Sequence, residues 1–181
     1  MSAKTQAIAI LSIAAAAFLG LGAVLDRDLV FLPFHHEAKR QERETPAILA
    51  SLSAYNAILT DIYVTNGDPK MLNELPATKA IRHDLYRDIG YIREHQQVLI
   101  YDMAKLTPVS IRLTSPRTAD AVVFEEWNYE YQRASDRVPA SRMKGIGQGY
   151  LYRLTKEGGA WIISSWDPVA VADPVLAQQP Q

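Results

Sequence analysis

The hydrophobic positions of this chain repeat with two different periods, one before residue 97 and another after it. Between residues 45 and 66, apolar side chains recur three or four positions apart, as on one face of an α-helix. Thr45-Pro46 supplies an N-cap followed by proline at the first helical position, and Asn66-Gly67 predicts the end of this helix. Its apolar face is formed by Ile48, Leu49, Leu52, Tyr55, Ile58, Leu59 and Ile62.

Two further helices are predicted before the period changes. Asp68-Pro69 begins a short helix that ends near Leu75, and Pro76 separates this helix from the next one. The third helix carries charges of both signs on the face that points away from its apolar positions. Its apolar face is formed by Ile81, Leu85, Ile89 and Ile92.

From Gln97 onward the side chains alternate with a period of two, which indicates β-strands. The alternation is clearest in the third strand, where Trp127 and Tyr129 share one face. Glu157-Gly158-Gly159 predicts a tight hairpin turn between the last two strands. We predict five strands, at residues 98–103, 109–114, 121–133, 147–155 and 161–166.

The order of these elements predicts an α+β domain, with three helices packed on one face of a bent antiparallel sheet. A length of 181 residues allows one such domain and an appendage. With 19 basic against 20 acidic side chains, the chain lacks the basic surplus of a nucleic-acid binder, so we expect no nucleic-acid partner. The absence of cysteine excludes disulfides, thiolate metal sites and a thiol nucleophile.

A membrane anchor is predicted near the N-terminus, where residues 7–25 carry no charged side chain. As a helix this run is about 28 Å long, close to the hydrocarbon thickness of a bilayer. It is longer than the core of a typical signal peptide and has no clean small-residue cleavage site. We therefore expect an uncleaved signal anchor, and a cleaved secreted protein is the alternative.

One face of the predicted anchor is lined by small residues, which allow a neighbouring helix to approach closely. Such a stripe also arises by chance in alanine-rich anchors, and both explanations stay open. Because the span contains no ionisable group, it predicts neither a proton path nor a haem or chlorophyll ligand. The stripe is formed by Ser12, Ala16, Gly20 and Ala23.

The chain is thereby divided into a signal anchor at residues 1–28, an interfacial segment and charged stalk at 29–44, the α+β domain at 45–168 and a Pro-rich extended tail at 169–181. Basic residues after the span favour a cytoplasmic domain, whereas the acidic flank at Asp26-Arg27-Asp28 favours translocation. We expect a single-pass protein of the inner (cytoplasmic) membrane, with the domain on the periplasmic side.

The order of elements resembles the nuclear-transport-factor-2-like (cystatin-like) cone fold. The segments GYLYRL at residues 149–154 and GAWII at 159–163 are similar to the closing hairpin of many such domains. A single membrane helix before this fold resembles type IV secretion scaffold components and the IMS-type domain of plastid-division proteins. The resemblance covers residues 45–168 and implies a fold without implying a reaction, since this fold hosts isomerases, dehydratases and interaction modules.

Enzymes of this fold hold an acid–base pair inside the cone, where burial tunes a carboxylate. The residues that could line such a cavity are Tyr101, Asp102, Trp127 and Tyr129, with Asp102 expected to point inward from its strand. The alternative is that Asp102 ends the strand and that the aromatic row belongs to the core. His83, Asp84 and His95 are further candidates, but His83 and Asp84 lie on the charged helix face.

The sequence thus favours a non-catalytic accessory or scaffold subunit of a larger membrane complex, of a secretion, respiratory or photosynthetic kind. Its expected partners are other membrane protein subunits and the lipid bilayer, and no catalytic residue, metal or other cofactor is expected. The neighbouring residues His35-His36 point about 100° apart on a helix and do not easily share a metal ion. The alternative is a membrane-tethered enzyme or small-ligand-binding protein that uses the cone cavity.

Overall fold

The computed structural model describes residues 27–171, with side chains from residue 36 onward. Contacts divide the chain into a unit that ends at Glu42 and a unit that begins at Arg43, and the second unit contains the domain described below. The predicted anchor at residues 7–25 and the tail from residue 172 lie outside the described residues. The same holds for the small-residue stripe of Ser12, Ala16, Gly20 and Ala23.

Three helices precede four strands along the described chain. The helices are α1 at Arg27–Val64, α2 at Pro69–Glu74 and α3 at Lys79–Glu94. The strands are β1 at Gln97–Ser115, β2 at Thr118–Arg133, β3 at Pro139–Glu157 and β4 at Ala160–Val169. The predicted α+β class is confirmed at this level.

Helix α1 begins well before the start predicted at Thr45-Pro46. A proline inside a helix removes one backbone hydrogen bond and costs about 3 kcal/mol. In the following turns Ile48 and Leu52 are fully buried, and burying side chains of this size contributes about 1.5–3 kcal/mol each. Packing therefore outweighs the local preference of proline, and the helix continues through it.

The turn between α1 and α2 follows the prediction. Gly67 adopts φ +86°, in the left-handed region that glycine tolerates, and its amide donates to the carbonyl of Ile62 over 2.8 Å. Asp68 then caps α2, with its Oδ1 accepting from the amide of Lys70 over 2.9 Å. The predicted helix end at Asn66-Gly67 and the restart at Asp68-Pro69 are both confirmed.

The four strands form an antiparallel open sheet in the order β1-β2-β3-β4, so that each strand pairs with its neighbours in sequence. Tyr101 of β1 lies opposite Tyr129 of β2, and Val123 of β2 lies opposite Tyr150 of β3. β1 is therefore an edge strand: among the described residues it pairs with β2 on one side and with no strand on the other.

The sheet has four strands instead of the five predicted, because the first two predicted strands are one strand, β1. The prediction separated them at Thr107-Pro108. A proline cannot donate to a neighbouring strand, but on an edge strand its missing amide can face solvent. The register shifts between Met103 and Lys105 and again between Pro108 and Ser110, which marks irregularities on either side of the break that the sequence predicted.

The predicted hairpin between the last two strands is confirmed. β3 ends at Glu157 and β4 begins at Ala160, which leaves a two-residue loop. Gly158 and Gly159 have φ angles of 58° and 90°. The common two-residue hairpin turn of type I′ needs a positive φ at both of its central residues, and glycine adopts such angles without strain.

The core lies between the helices and one face of the sheet. α1 contributes its apolar face, and the serine hydroxyl of Ser51 on the same helix donates to the carbonyl of Trp161 on β4 over 2.7 Å. α3 contributes Leu85 and Ile89. The sheet contributes Ala119, Ala121, Val123, Tyr152, Leu154, Trp161 and Ile163, which share the helix-facing side through their register.

One described helical segment, His36–Val64, is long and apolar enough to cross a membrane. This property rests on length and composition, and the segment includes the part of α1 that packs in the core. Residues such as Ile48, Leu52 and Ile62 are fully buried against the rest of the domain. Core packing therefore accounts for the apolar character of that part of α1.

Candidate functional site

A cavity of about 520 Å³ opens in the domain beside the covered face of the sheet. α1, α3 and all four strands contribute to its lining. Apolar walls come from Leu59, Ile81 and Leu85 of the helices. A volume of this size is typical of small-molecule sites in proteins. The remaining lining residues are mostly aromatic or acidic, and they give the cavity its chemical character.

A buried carboxylate, Glu125, lies at this cavity. It is placed there by the alternation of β2, which puts it on the same face as Val123 and Trp127. Only 1% of the residue is exposed. A carboxylate is seldom found at such a position unless hydrogen bonds satisfy it.

Three donors converge on the Glu125 carboxylate. The side-chain amide of Asn56 donates to Oε1 over 3.1 Å and the Tyr152 hydroxyl donates to the same atom over 2.9 Å. The indole Nε1 of Trp127 donates to Oε2 over 2.8 Å. Together these four residues connect α1, β2 and β3 through one buried polar cluster, which we call the Glu125 cluster.

Burial raises the pKa of the Glu125 carboxyl, although hydrogen bonds from Trp127, Tyr152 and Asn56 act in the opposite direction. Asn56 is itself fully buried, and its Oδ1 finds no donor among the described residues. The raised pKa favours the protonated form of Glu125 more than is usual for a carboxyl group exposed to water.

Aromatic rings extend from the Glu125 cluster into the cavity. Tyr101 stacks on Trp127 with ring centroids 3.9 Å apart, and Tyr63 meets Tyr101 edge to face at 5.3 Å. Burial raises the pKa of the Tyr101 hydroxyl well above its usual range. This hydroxyl therefore stays protonated and uncharged at neutral pH.

The residues predicted to line a cavity lie on both faces of the sheet. Tyr101 lines the cavity, and Trp127 is fully buried beneath it. Tyr129 packs beside Tyr101 with ring centroids 5.1 Å apart, and it also borders a second, shallower cleft. Of the four predicted residues, Tyr101 thus lines the cavity, and Trp127 and Tyr129 contact Tyr101.

Asp102 does not point into the cavity as expected. The residue is exposed and borders the shallower cleft, and its Oδ2 accepts from the side-chain amide of Asn128 over 3.4 Å. Leu99 is buried while Ile100 is half-buried. Leu99 and Tyr101 therefore share the face of β1 that points toward the helices. The prediction placed Asp102 on the same face as the buried Val98. It was wrong because Val98 and Leu99 are both buried, so the burial of Val98 does not show which face of the strand points toward the helices.

The other acid–base candidates lie at the surface. Asp84 reaches the cavity lining, and it forms an exposed ion pair with Arg87 on the same helix at 3.4 Å. His83 is exposed. A ring nitrogen of the exposed His95 lies 2.8 Å from the backbone carbonyl of Tyr91. Neither histidine lines the cavity.

Sequence reasoning missed Glu125 and its partner Asn56. A signal was present, because Glu125 lies two positions before Trp127 and therefore shares its face in any strand. A carboxylate in an otherwise apolar row is the kind of exception that marks a buried polar group. Nothing in the local sequence around Asn56 indicates which residue on the sheet it contacts.

A second region to consider is the end of the β2–β3 hairpin, residues 129–147, which we call the β2–β3 arm. Tyr129 pairs there with Met143, and a carboxylate oxygen of Glu130 accepts from the Arg142 guanidinium. From residue 134 to residue 147 every side chain is exposed. Three of these are large and apolar, namely Val138, Met143 and Ile146, each between 42% and 47% exposed.

The solved structures contain a counterpart of this fold. The chain is similar to the crystal structure of the intermembrane space region of chloroplast protein ARC6, with a TM-score of 0.56 and 13% identity, over 67% of this chain and 93% of that chain. An NMR structure of a de novo β-sheet design matches with a TM-score of 0.37 and 9% identity, over 74% of this chain and 97% of that chain, too low a similarity to bear on the fold. No family model and no curated protein matches the sequence.

At 13% identity the similarity to the ARC6 region shows a shared fold and nothing about partners or chemistry. The resemblance to the IMS-type domain of plastid-division proteins is supported at that level. The resemblance to type IV secretion scaffold components stays a prediction, as do the finer features of the cone.

Proposed function

We propose that this protein is a non-catalytic accessory or scaffold subunit of a larger membrane protein complex. The observation that carries the proposal is the fold shared with the intermembrane space region of ARC6, in a chain whose sequence predicts a membrane anchor before the domain. The anchor at residues 7–25 would dock on a partner helix through Ser12, Ala16, Gly20 and Ala23. The domain would contact partners outside the bilayer.

The chemistry of the Glu125 cluster supports a structural role for this carboxylate. A general base needs access to the substrate proton that it removes, whereas Glu125 is almost completely buried and receives three internal hydrogen bonds. Its donors are an amide, an indole and a phenol, none of which titrates near neutral pH. We therefore propose that it fixes the helices on the sheet and performs no acid–base step.

The β2–β3 arm supports a docking role. Exposed apolar side chains in a cluster are typical of protein interaction sites, and here Val138, Met143 and Ile146 lie on one hairpin. Arg137, Arg142 and Lys144 add basic charge to the same segment. The arm would thus offer apolar contacts with a basic rim to a partner subunit.

The placement of the protein follows from the predicted anchor. We propose a single pass through the inner (cytoplasmic) membrane, with the domain on the periplasmic side. We also propose that the open sheet curves as in nuclear-transport-factor-2-like cones, which the register shifts in β1 and β2 would permit.

The test is mild-detergent extraction of the tagged, full-length protein from native membranes, followed by mass spectrometry of the proteins that co-purify. We expect a stoichiometric set of membrane subunits, lost when Ser12, Ala16 and Gly20 are changed together to leucine. Ala7→Leu with Ala14→Leu is the matched control, since at 100° per residue both positions lie on the opposite side of the predicted helix. Recovery of a lone monomer would contradict the proposal.

A further inference from the structure

Two exposed carboxylates, Asp84 and Asp88, line the cavity together with the buried Glu125. Within the described part of the chain no lysine, arginine or histidine lines it. Because Glu125 is buried and already accepts three internal hydrogen bonds, the negative charge offered to a ligand comes from Asp84 and Asp88.

Among the described residues, two basic side chains contact lining residues: Arg87 pairs with Asp84 at the exposed surface of α3, and Arg153 donates to the hydroxyl of Ser165 over 3.3 Å. Arg153 also pairs with Asp167, so both arginines are already matched by carboxylates. An anionic ligand would therefore be repelled, whereas a positive charge would be attracted.

Six aromatic residues line the same cavity, namely Tyr55, Tyr63, Tyr101, Tyr150, Tyr152 and Trp166. Several of them are nearly perpendicular to their neighbours. Tyr55 and Tyr152 meet edge to face with centroids 6.2 Å apart, and Tyr150 and Trp166 do so at 5.7 Å and 82°. Perpendicular rings form adjoining walls, the arrangement in which aromatic faces surround a quaternary ammonium group.

The tyrosine hydroxyls are uncharged at neutral pH, and two of the rings are held by neighbouring residues before any ligand arrives. Burial raises the pKa of the Tyr150 hydroxyl to about 12 and raises that of Tyr152 further. Tyr152 is also held by its hydrogen bond to Glu125, and Tyr101 by its stacking on Trp127. A ligand would meet walls that need little rearrangement, which favours affinity.

We infer that this cavity binds an organic cation, either a quaternary ammonium or a protonated amine. The aromatic walls and the carboxylates of Asp84 and Asp88 would hold the charged group, and Leu59, Ile81 and Leu85 would contact an attached apolar part. The cavity volume of about 520 Å³ suits a small molecule. The cation could be a free amine or the headgroup of a lipid, since both present the same chemistry.

The test compares choline with 3,3-dimethylbutan-1-ol, its uncharged isostere of the same shape. Calorimetric titration uses the full-length protein in a maltoside detergent, because a phosphocholine detergent would itself supply the ligand. We expect choline to bind with a Kd at least about 10-fold lower than that of the alcohol, a difference of about 1.4 kcal/mol, because aromatic faces attract the cation and not its neutral isostere. Equal binding of both probes, or binding of neither, would overturn the inference.

A second arm identifies the source of the cation. Glycerophosphocholine carries the same ammonium group as choline together with the phosphate of a lipid headgroup. Binding of both compounds supports a lipid headgroup as the ligand, because the phosphate is then tolerated. Binding of choline alone supports a free cation, since the cavity carboxylates would repel the phosphate.

Two variants locate the binding site. Trp166→Leu removes a ring that is 44% exposed, and Asp88→Asn removes an exposed charge at the lining, so neither should disturb the core. We expect each to weaken choline binding about 3- to 10-fold. The matched controls are Tyr86→Leu on α3, which is 52% exposed, and Asp102→Asn on the other sheet face. Equal losses in variants and controls would contradict a site in the cavity.

Discussion

β2 and β3 pass through two environments, and the two differ in what covers them. Where α1 and α3 pack on the sheet, Val123 and Leu154 are at most 1% exposed. In the β2–β3 arm the same two strands still pair, yet Val138, Met143 and Ile146 are almost half exposed. The strands pair in both regions, and the buried positions are those that join the core cluster with α1 and α3.

This comparison distinguishes the apolar residues that stabilise the fold from the apolar residues that remain exposed and available to a partner. Alternation along a strand predicts the faces of a sheet but not whether anything covers them. In the covered region the apolar residues already have neighbours in the same chain, and their loss should act on stability. In the arm they have few such neighbours, and their loss should act on association.

The largest effect is expected in the covered region, at Leu52. Leu52→Ala removes a fully buried side chain from α1 and should lower the free energy of unfolding by about 2–5 kcal/mol. Chemical denaturation of the full-length protein in detergent measures it. Met143→Ala in the arm is the matched control, expected within about 0.5 kcal/mol of the unmodified protein. Equal effects at both positions would break the distinction between the two regions.

A somewhat smaller effect is expected at the Glu125 cluster. Glu125→Leu leaves the donors of Asn56, Trp127 and Tyr152 without their acceptor. We expect a loss of about 2–4 kcal/mol, since a buried unsatisfied donor costs about 1–3 kcal/mol and the tyrosine hydroxyl can rotate away. Glu125→Gln keeps the shape and one acceptor oxygen, and should retain more stability in the same denaturation experiment. A leucine variant as stable as the glutamine variant would show that the hydrogen bonds contribute nothing.

The pH dependence of stability is the third prediction. Because burial raises the folded-state pKa of Glu125 above its ordinary 4.5, the folded protein binds this proton more tightly than the unfolded chain does. The resulting stability is fully present below pH 4.5 and is lost as the pH rises through the raised pKa. The difference in Tm between the unmodified protein and Glu125→Gln should therefore change with pH above 4.5. A constant difference would contradict a raised pKa at this site.

The smallest effect on stability is expected in the arm. Val138→Ser, Met143→Ser and Ile146→Ser together should change the free energy of unfolding by about 1 kcal/mol or less, because surface substitutions act weakly. The same triple variant should lose its co-purifying partners, measured by quantitative mass spectrometry. Retention of every partner would remove the arm from the docking surface.

The sequence predicted elements well where local signals agree with packing. The helix end at Asn66-Gly67, the restart at Asp68-Pro69 and the turn at Gly158-Gly159 depend on backbone conformations that these residues prefer. Failures occurred at prolines. Pro46 lies inside α1 and Pro108 inside β1, because core packing in one case and an edge position in the other offset the local signal.

The candidate site was predictable in part. Trp127 was identified from alternation and Tyr101 from the resemblance to enzymes of the cone fold, and Glu125 could have been found from its shared parity with Trp127. Asp102 was misplaced because two consecutive residues, Val98 and Leu99, are buried at the start of β1. The contact between Asn56 and Glu125 spans 69 positions, and no local pattern encodes a pairing over that distance.

The measurement that tests the scaffold role most directly is site-specific photo-crosslinking in native membranes. A benzophenone side chain would replace Met143 or Ile146 in the arm, and Tyr86 on α3 would carry it as an equally exposed control. We expect the arm positions to crosslink to one defined membrane protein, with little product from Tyr86. Crosslinks to lipid alone, or equal products from all three positions, would contradict a docking role for the β2–β3 arm.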